Sequence, residues 1–286
     1  MSEAQASKLC LMVALAHPDD ESFGMGGTLA YYAEKGVEVQ LVCATRGEAG
    51  TVDKQYLEGY ESIAALREAE LRCAAKALGL AGVAFLDYRD SGMEGTKENQ
   101  HPDAFVNAPL DEVTERLVAL MRQLNPQVVL TFDPMGGYHH PDHIAIHKAA
   151  TAAFHAAGDA KQFPKSGKAH RPELLYYMAR SRRKLRWLVR VMPLLGKDPS
   201  RVGRNRDIDL RRLARDPDTP PHVTINYKSV DGRKRAADAC HASQLGGIPR
   251  FSVLDVYYRL MGRSDHFTRA HPPAPDDYRT TDLFAD

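Results

Sequence analysis

His17-Pro18-Asp19-Asp20-Glu21 and His140-Pro141-Asp142-His143 are the two places where this 286-residue chain concentrates groups able to hold a metal ion and move protons. In each, a histidine is followed three residues later, across a proline-containing turn, by a second group able to ligate: Asp20 in the first and His143 in the second. His17 and Asp20 can aim at one point while Asp19 is displaced beside it, which makes half of a metal site. A catalytic zinc takes three protein ligands from imidazole and carboxylate and keeps an open position for water. The third ligand is assigned to His143, which leaves His140 free. One such motif alone is more often a helix cap or a surface histidine; two of the same form, each following a strand, make the bland reading hard to sustain. The chemistry is then hydrolytic. Bound zinc brings the pKa of its water from 15.7 to about 7, and Asp19 is placed to take the proton as general base. An attacked amide carbonyl becomes an oxyanion, which a protonated His140 stabilises before protonating the leaving amine. Asp142 or Asp133 would hold His140 charged. The same donors also suit Fe²⁺ or Co²⁺.

These groups need rigid elements behind them. Residues 9–16 form a continuous apolar run, the signature of a strand buried on both faces of a parallel sheet. A helix is expected over 22–35, ended by Gly36, and a second strand over 37–44. The loop Thr45-Arg46-Gly47-Glu48-Ala49-Gly50 follows, then a helix with Leu71, Ala75 and Leu78 on one face, closed by Gly79. Strands at 83–86 and 128–132 alternate with helices at 111–124 and 142–154. Such alternation calls for βαβ units with helices on both faces of a mostly parallel, Rossmann-like sheet, whose ligands gather at the carboxyl ends of the strands. Both histidine motifs follow strands directly. The fold class is therefore α/β, with a Rossmann-like core over 8–157 and a C-terminal α+β extension over 158–286 within one catalytic domain. The extension contains strands at 174–178 and 223–227, a basic segment at 180–215, and a serine-capped helix at 229–244. The last fifteen residues, with three prolines and little periodicity, read as a loosely packed tail. Gly24-Met25-Gly26-Gly27 does not form a nucleotide-binding fingerprint; its glycines are read as room for close helix packing and substrate approach.

Composition narrows the partners. Thirty-eight lysines and arginines against 37 aspartates and glutamates give a charge too even for bulk attachment to a polyanion. No apolar run approaches the ~18–20 residues of a membrane span, so the cytoplasm is the expected compartment. The four cysteines (Cys10, Cys43, Cys73 and Cys240) form no C-x-x-C pair and are read as reduced and structural. No G-x-S-x-G elbow offers a serine nucleophile.

The segments A-H-P-D-D-E at 16–21, T-R-G-E-A-G at 45–50 and G-Y-H-H-P-D-H at 137–143 together resemble the LmbE-like, or PIG-L-like, zinc de-N-acetylases. That family includes the deacetylases of the mycothiol and bacillithiol pathways. The resemblance runs in order over about residues 9–156 and resumes at 234–244, whose C-H-A-S-Q ending looks like the family's C-terminal helix. It implies His17, Asp20 and His143 as zinc ligands, Asp19 as base and His140 as the electrophilic partner, in agreement with the roles argued from the residues. It adds Arg67, Asp90 and Glu48 as contacts to the sugar of an N-acetylglucosamine-type conjugate, Tyr138 as a mobile contact near the carbonyl, and His241 as a rim residue. Arg46 departs from the leucine often found at its place in the thiol-pathway members. The expected activity is removal of the N-acetyl group from such a conjugate by zinc-activated water; the alternatives are an amidase acting on a larger sugar-linked amide or thiol S-conjugate, or a nucleic-acid-associated protein using 180–215. The aromatic interleaving that nucleic-acid grooves use is nearly absent from that stretch, with Trp187 alone. It is read as an insertion that shapes the substrate mouth or makes a homo-oligomer contact, and no nucleic acid is expected as a partner.

Overall fold

The computed structural model describes residues 8–179, 182–203, 208–245 and 262–285. Among these, seven strands form one sheet in the order β3-β2-β1-β4-β5-β7-β6: β1 Cys10–Leu15, β2 Glu38–Thr45, β3 Gly82–Tyr88, β4 Val128–Thr131, β5 Leu174–Met178, β6 Val223–Asn226 and β7 Ser264–His271. β1–β5 pair in parallel, and β7 runs antiparallel between β5 and β6. β1 lies at the centre of the parallel part and every one of its residues is buried, which is why its sequence is an unbroken apolar run. The chain leaves β1 toward β2 on one side, whereas β4 flanks it on the other. A crevice therefore opens at the carboxyl ends of β1 and β4, where such sheets take their ligands.

Helices cover the sheet in two layers. α1 (Asp20–Glu34), α2 (Ile63–Leu78) and α6 (Asp231–Cys240) pack together, and α3 (Leu110–Leu124) packs with α4 (Pro141–Ala156). Their ends follow local chemistry. The Ser62 hydroxyl accepts from the Ala65 amide to start α2, and Gly79, at φ +80°, ends it. α4 begins with Pro141 in its first turn, where a missing N–H costs nothing. A Cβ on Gly27 would lie 2.1 Å from the Tyr227 ring, so that glycine admits close packing of α1 on the residues after β6. A further helix, α5 (Arg182–Val191), lies in the basic segment; Arg180, Arg204 and Arg206 of that segment fall outside the described residues.

Three expectations need correction. Cys73 and Cys240 form a disulfide, with 5.8 Å between Cα atoms, that ties α2 to the end of α6; only Cys10 and Cys43 are free and buried. The chain end is not loose. Leu283 is fully buried, its amide donates to the Tyr32 hydroxyl at 2.6 Å, and that hydroxyl donates to Asp282 at 2.8 Å. The helix expected over 229–244 begins at Asp231 without a side-chain cap, because Ser229 is taken into a 3₁₀ turn, Lys228–Val230.

Arg122, at the end of α3, is 5% exposed and faces a ring of carbonyls. Its guanidinium donates to Ala157 (3.1 Å), Phe163 (2.6 Å), Asp159 (2.8 Å) and Gln162 (2.9 Å). It thereby satisfies acceptors left over where α4 ends and moulds the turn that leads toward β5. Arg122→Met is expected to lower unfolding free energy by about 3 kcal/mol, because charged hydrogen bonds disappear and buried carbonyls lose their donor. Urea unfolding should show a lower midpoint at unchanged slope, and Arg122→Lys should restore only part of it.

Candidate active site

β1 delivers His17 and the start of α1; β4 delivers Asp133 and, through the turn Gly136–His139, the start of α4. In that turn the Asp133 carboxylate accepts the amides of Met135 (2.8 Å) and Gly137 (3.2 Å), so it shapes the backbone and is not the partner of His140. The two motifs meet. His17 Nδ1 lies 3.3 Å from His143 Nε2, and the Asp20 carboxylate lies 3.6 Å from the first and 3.3 Å from the second. Each imidazole is oriented from behind. His17 Nε2 donates to Asp142 at 3.1 Å, and His143 Nδ1 donates to the Gly136 carbonyl at 3.1 Å while its ring stacks on Phe132 at 3.9 Å. With those protons directed outward, both inner nitrogens turn a lone pair toward Asp20, which is how metal-binding histidines are set. Asp142 therefore serves His17, not His140 as expected; its Oδ2 also accepts the Ser91 amide at 2.9 Å.

Electrostatics point the same way. Burial opposes charge on His17, but Asp90, Asp142 and Asp20 outweigh it and hold its pKa well above the usual value. Burial also opposes ionisation of Asp20 and Asp90, yet His143 and His17 for the former, and His17 for the latter, hold both carboxyls well below the usual range. The cluster favours positive charge at its centre. The donor set of two imidazoles and a carboxylate, converging in a negative surround, fits a divalent transition-metal ion. His140 lies within the same group, with ring nitrogens of His17, His140 and His143 inside 4.8 Å. Its Nδ1 is already engaged as the cap of α4, accepting the Asp142 amide at 3.2 Å.

That cap bond fixes the tautomer of a neutral His140, with the proton on Nε2. Burial, then the neighbouring His17 and His143, push its pKa well below the usual value. Both effects favour a neutral ring over the expected imidazolium. Asp19 shows the opposite departure. Burial and the adjacent Asp20 raise its carboxyl to about 7 although Arg67 pulls it down. Arg67 donates to Asp19 Oδ2 at 2.9 Å, to the Gly47 carbonyl at 2.8 Å and to the Pro18 carbonyl. Asp19 itself sits at φ 115°, ψ −27°, a conformation that aspartate rarely adopts. Its amide donates to the fully buried Glu21 at 2.9 Å, which also receives His241 Nε2 at 2.7 Å.

A cavity of about 320 Å³ opens above these groups, lined by His17, Asp19, Arg67, Asp90, Tyr138 and His140. Glu48 stands behind it, accepting the Asp90 amide at 3.0 Å. His241 is fully buried beneath Glu21 and is not a rim residue. Its neighbour Ser243 is held by Glu70 through amide and hydroxyl at 2.8 and 2.7 Å, and Gln244 reaches the cavity. The outer wall adds Met93, Thr96, Glu98, Gly203 and Ile208, none of which the sequence reading singled out. Gln244 was within reach of it, as the last residue of the C-H-A-S-Q run; the others sit in loops with no periodic signal. Tyr138 keeps its phenol protonated, since burial and the charges of Asp20 and Asp19 raise its pKa well above the usual value.

Comparison with known proteins agrees with this architecture. The family model described as GlcNAc-PI de-N-acetylase matches residues 12–154, a stretch that contains both histidine motifs. A 1D-myo-inositol 2-acetamido-2-deoxy-alpha-D-glucopyranoside deacetylase of Geodermatophilus obscurus is 38% identical over 270 residues, covering 88% of this chain and 91% of the relative. Its counterpart in Rhodococcus erythropolis is 35% identical and covers 98% of both chains. Among solved structures, the N,N'-diacetylchitobiose deacetylase of Pyrococcus horikoshii shares the fold at a TM-score of 0.61 and 20% identity, covering 91% of this chain and 83% of that one. With full-length relatives at this identity and a family model spanning the β1 and β4 motifs alike, the chain belongs to the PIG-L, or LmbE-like, family of de-N-acetylases.

Proposed function

We propose that this chain hydrolyses the N-acetyl group of an N-acetylglucosamine-type sugar conjugate, releasing acetate and a free amine, with an inositol-linked glucosaminide as the preferred substrate. One observation carries the reading: His17 Nδ1, His143 Nε2 and the Asp20 carboxylate converge within 3.3–3.6 Å beside Asp19, whose carboxyl is raised to about 7, and His17 and Asp19 line one cavity. Those three residues would hold the ion. Zn²⁺ there supplies Lewis acidity, which lowers the pKa of water to about 7 and polarises the amide carbonyl; Fe²⁺ or Co²⁺ suit the same donors. Asp19 takes the proton of the attacking water and passes it to the departing nitrogen, so that one carboxyl serves both half-reactions. Arg67 keeps Asp19 aimed and ionisable. His140, neutral and protonated on Nε2, donates to the oxygen that gains charge, and needs no proton transfer of its own. The Tyr138 hydroxyl gives an accessory donor on the same wall, and Asp90 can accept from a sugar hydroxyl. The curated relatives, named for an inositol glycoside, support that choice of aglycone.

The test is a panel assay on the zinc-loaded protein. It compares the inositol glucosaminide, N,N'-diacetylchitobiose and a sugar-linked thiol S-conjugate by amine release and acetate formation. Equimolar amine and acetate are expected, with the inositol compound giving the highest kcat/KM. No amine from any of them would refute the reading, and faster cleavage of the S-conjugate would transfer it to the larger-amide class.

A further inference from the structure

Residues 182–197 contain six cations and no acid: Arg182, Arg183, Lys184, Arg186, Arg190 and Lys197. Two of them face inward. Arg182 is 5% exposed and lies 3.5 Å from Asp216; Arg186 donates to Asp218 at 2.7 Å and to the carbonyls of Ala214 and Asp216. These two, at i and i+4, bolt α5 to the chain at 214–218. The flank beside them carries Arg183, Trp187 and Arg190 at i, i+4 and i+7, all exposed, and the chain continues into the turn Met192–Leu195. There Leu194 and Leu195 are 83% and 66% exposed, beside Trp187 at 64%. Other large apolar side chains exposed among the described residues are scattered, at Leu9, Tyr60, Val106, Leu110 and Met135. A stripe combining tryptophan, a leucine pair and unpaired arginines is what interfacial helices present to an anionic bilayer; the acid that follows it, Asp198, lies 3.7 Å from Arg211 and is turned to that cation.

We infer that α5 and the turn after it dock on an anionic lipid surface, Trp187, Leu194 and Leu195 entering the headgroup boundary while Arg183, Arg190 and Lys197 meet lipid phosphates. Charge decides against the other occupants. A two-fold contact between copies would bring Arg183, Arg190 and Lys197 against like charge. A nucleic acid would take the cations but leave the leucine pair against phosphate and water, with one aromatic available for stacking. Gly203 and Ile208, downstream in the same excursion, line the active-site cavity, so docking here brings the mouth of the site close to the lipid surface.

Trp187 is the only tryptophan in the chain, which makes it a reporter for this contact alone. The full-length protein should show a blue shift and gain of its emission with vesicles of 30% phosphatidylglycerol in phosphatidylcholine, and little with phosphatidylcholine alone. Sedimentation with the anionic vesicles should fall with salt. Arg190→Glu should weaken it by more than the about fivefold expected for loss of one surface charge. Leu194→Ser/Leu195→Ser should weaken it at least tenfold, with amine release from a soluble substrate unchanged. Unchanged emission with phosphatidylglycerol vesicles would overturn the inference. So would an equal shift with a short DNA duplex, or a shift that tracks protein concentration without lipid.

Discussion

His143→Ala should leave a folded protein with less than a tenth of an equivalent of zinc after gel filtration and amine release reduced at least about a thousandfold. His143 Nε2 is the hinge of the donor set, 3.3 Å from both His17 Nδ1 and an Asp20 oxygen. It is 2% exposed, stacked on Phe132 and hydrogen-bonded to the Gly136 carbonyl. Truncation removes one of three ligands and the side chain that holds the other two apart from bulk water. Removing a supporting partner alone typically costs 10–100-fold in metal affinity, and losing a ligand costs more. Without the ion, water at the site ionises as it does in bulk, some eight to nine orders of magnitude less readily than at a zinc centre. Metal analysis and a melting curve with and without chelator provide the check: the wild type should lose stability on chelation, whereas the variant should be indifferent. A variant that keeps stoichiometric zinc would show that His140 takes the third position and that the division of roles between the two histidines is reversed.

Asp19→Asn should do the reverse, keeping zinc and losing turnover by about 10²–10⁴, the usual contribution of a positioned general base. The amide can still accept from Arg67, so the backbone around it and the three ligands should stay in place. KM should change little while kcat falls, because the lost interaction is made in the transition state. The pH profile separates this from a packing defect. Asp19 must be ionised to act, and its surroundings set its pKa near 7 before any cation binds. A bound cation nearby lowers that value, so the acid limb of kcat/KM in the wild type should lie below pH 7, with activity rising through it. The residual activity of the variant should lack that limb. Loss of zinc as complete as in His143→Ala would make Asp19 a ligand and end the assignment.

The core was legible because burial on both faces writes itself into sequence. Cys10–Leu15 is an unbroken apolar run, Val128–Thr131 is apolar up to its last residue, and the strand Leu174–Met178 was readable for the same reason. β7 was not read: Ser264–His271 is an antiparallel strand whose buried positions include Phe267 and Arg269, so it carries no apolar run. The Cys73–Cys240 bridge spans 167 residues and depends on α2 meeting α6, which no spacing reports. The docked chain end depends in the same way on Tyr32 and Leu283, 251 residues apart. In the site, the convergence of the two motifs was legible from strand ends and residue types. The state of His140 was not, because it arises from two other imidazoles brought beside it and from an amide that uses its Nδ1. The pairing of Asp142 with His17 likewise comes from the geometry of the α4 start, which points that carboxylate across to the β1 motif.

The backbone of Asp19, held at φ 115° between the Glu21 and Arg67 contacts, sets durability against chemistry at a single codon. A non-glycine residue in such a conformation stores on the order of 1–3 kcal/mol, which glycine would release. Glycine would also leave the buried Arg67 guanidinium without the carboxylate it pairs with, at a cost of about 3–5 kcal/mol, so the ion pair that aims the base is also what keeps the strain in place. Backbone relief, ion pairing and turnover thus meet in one side chain, and a substitution at position 19 that gains the first gives up the other two.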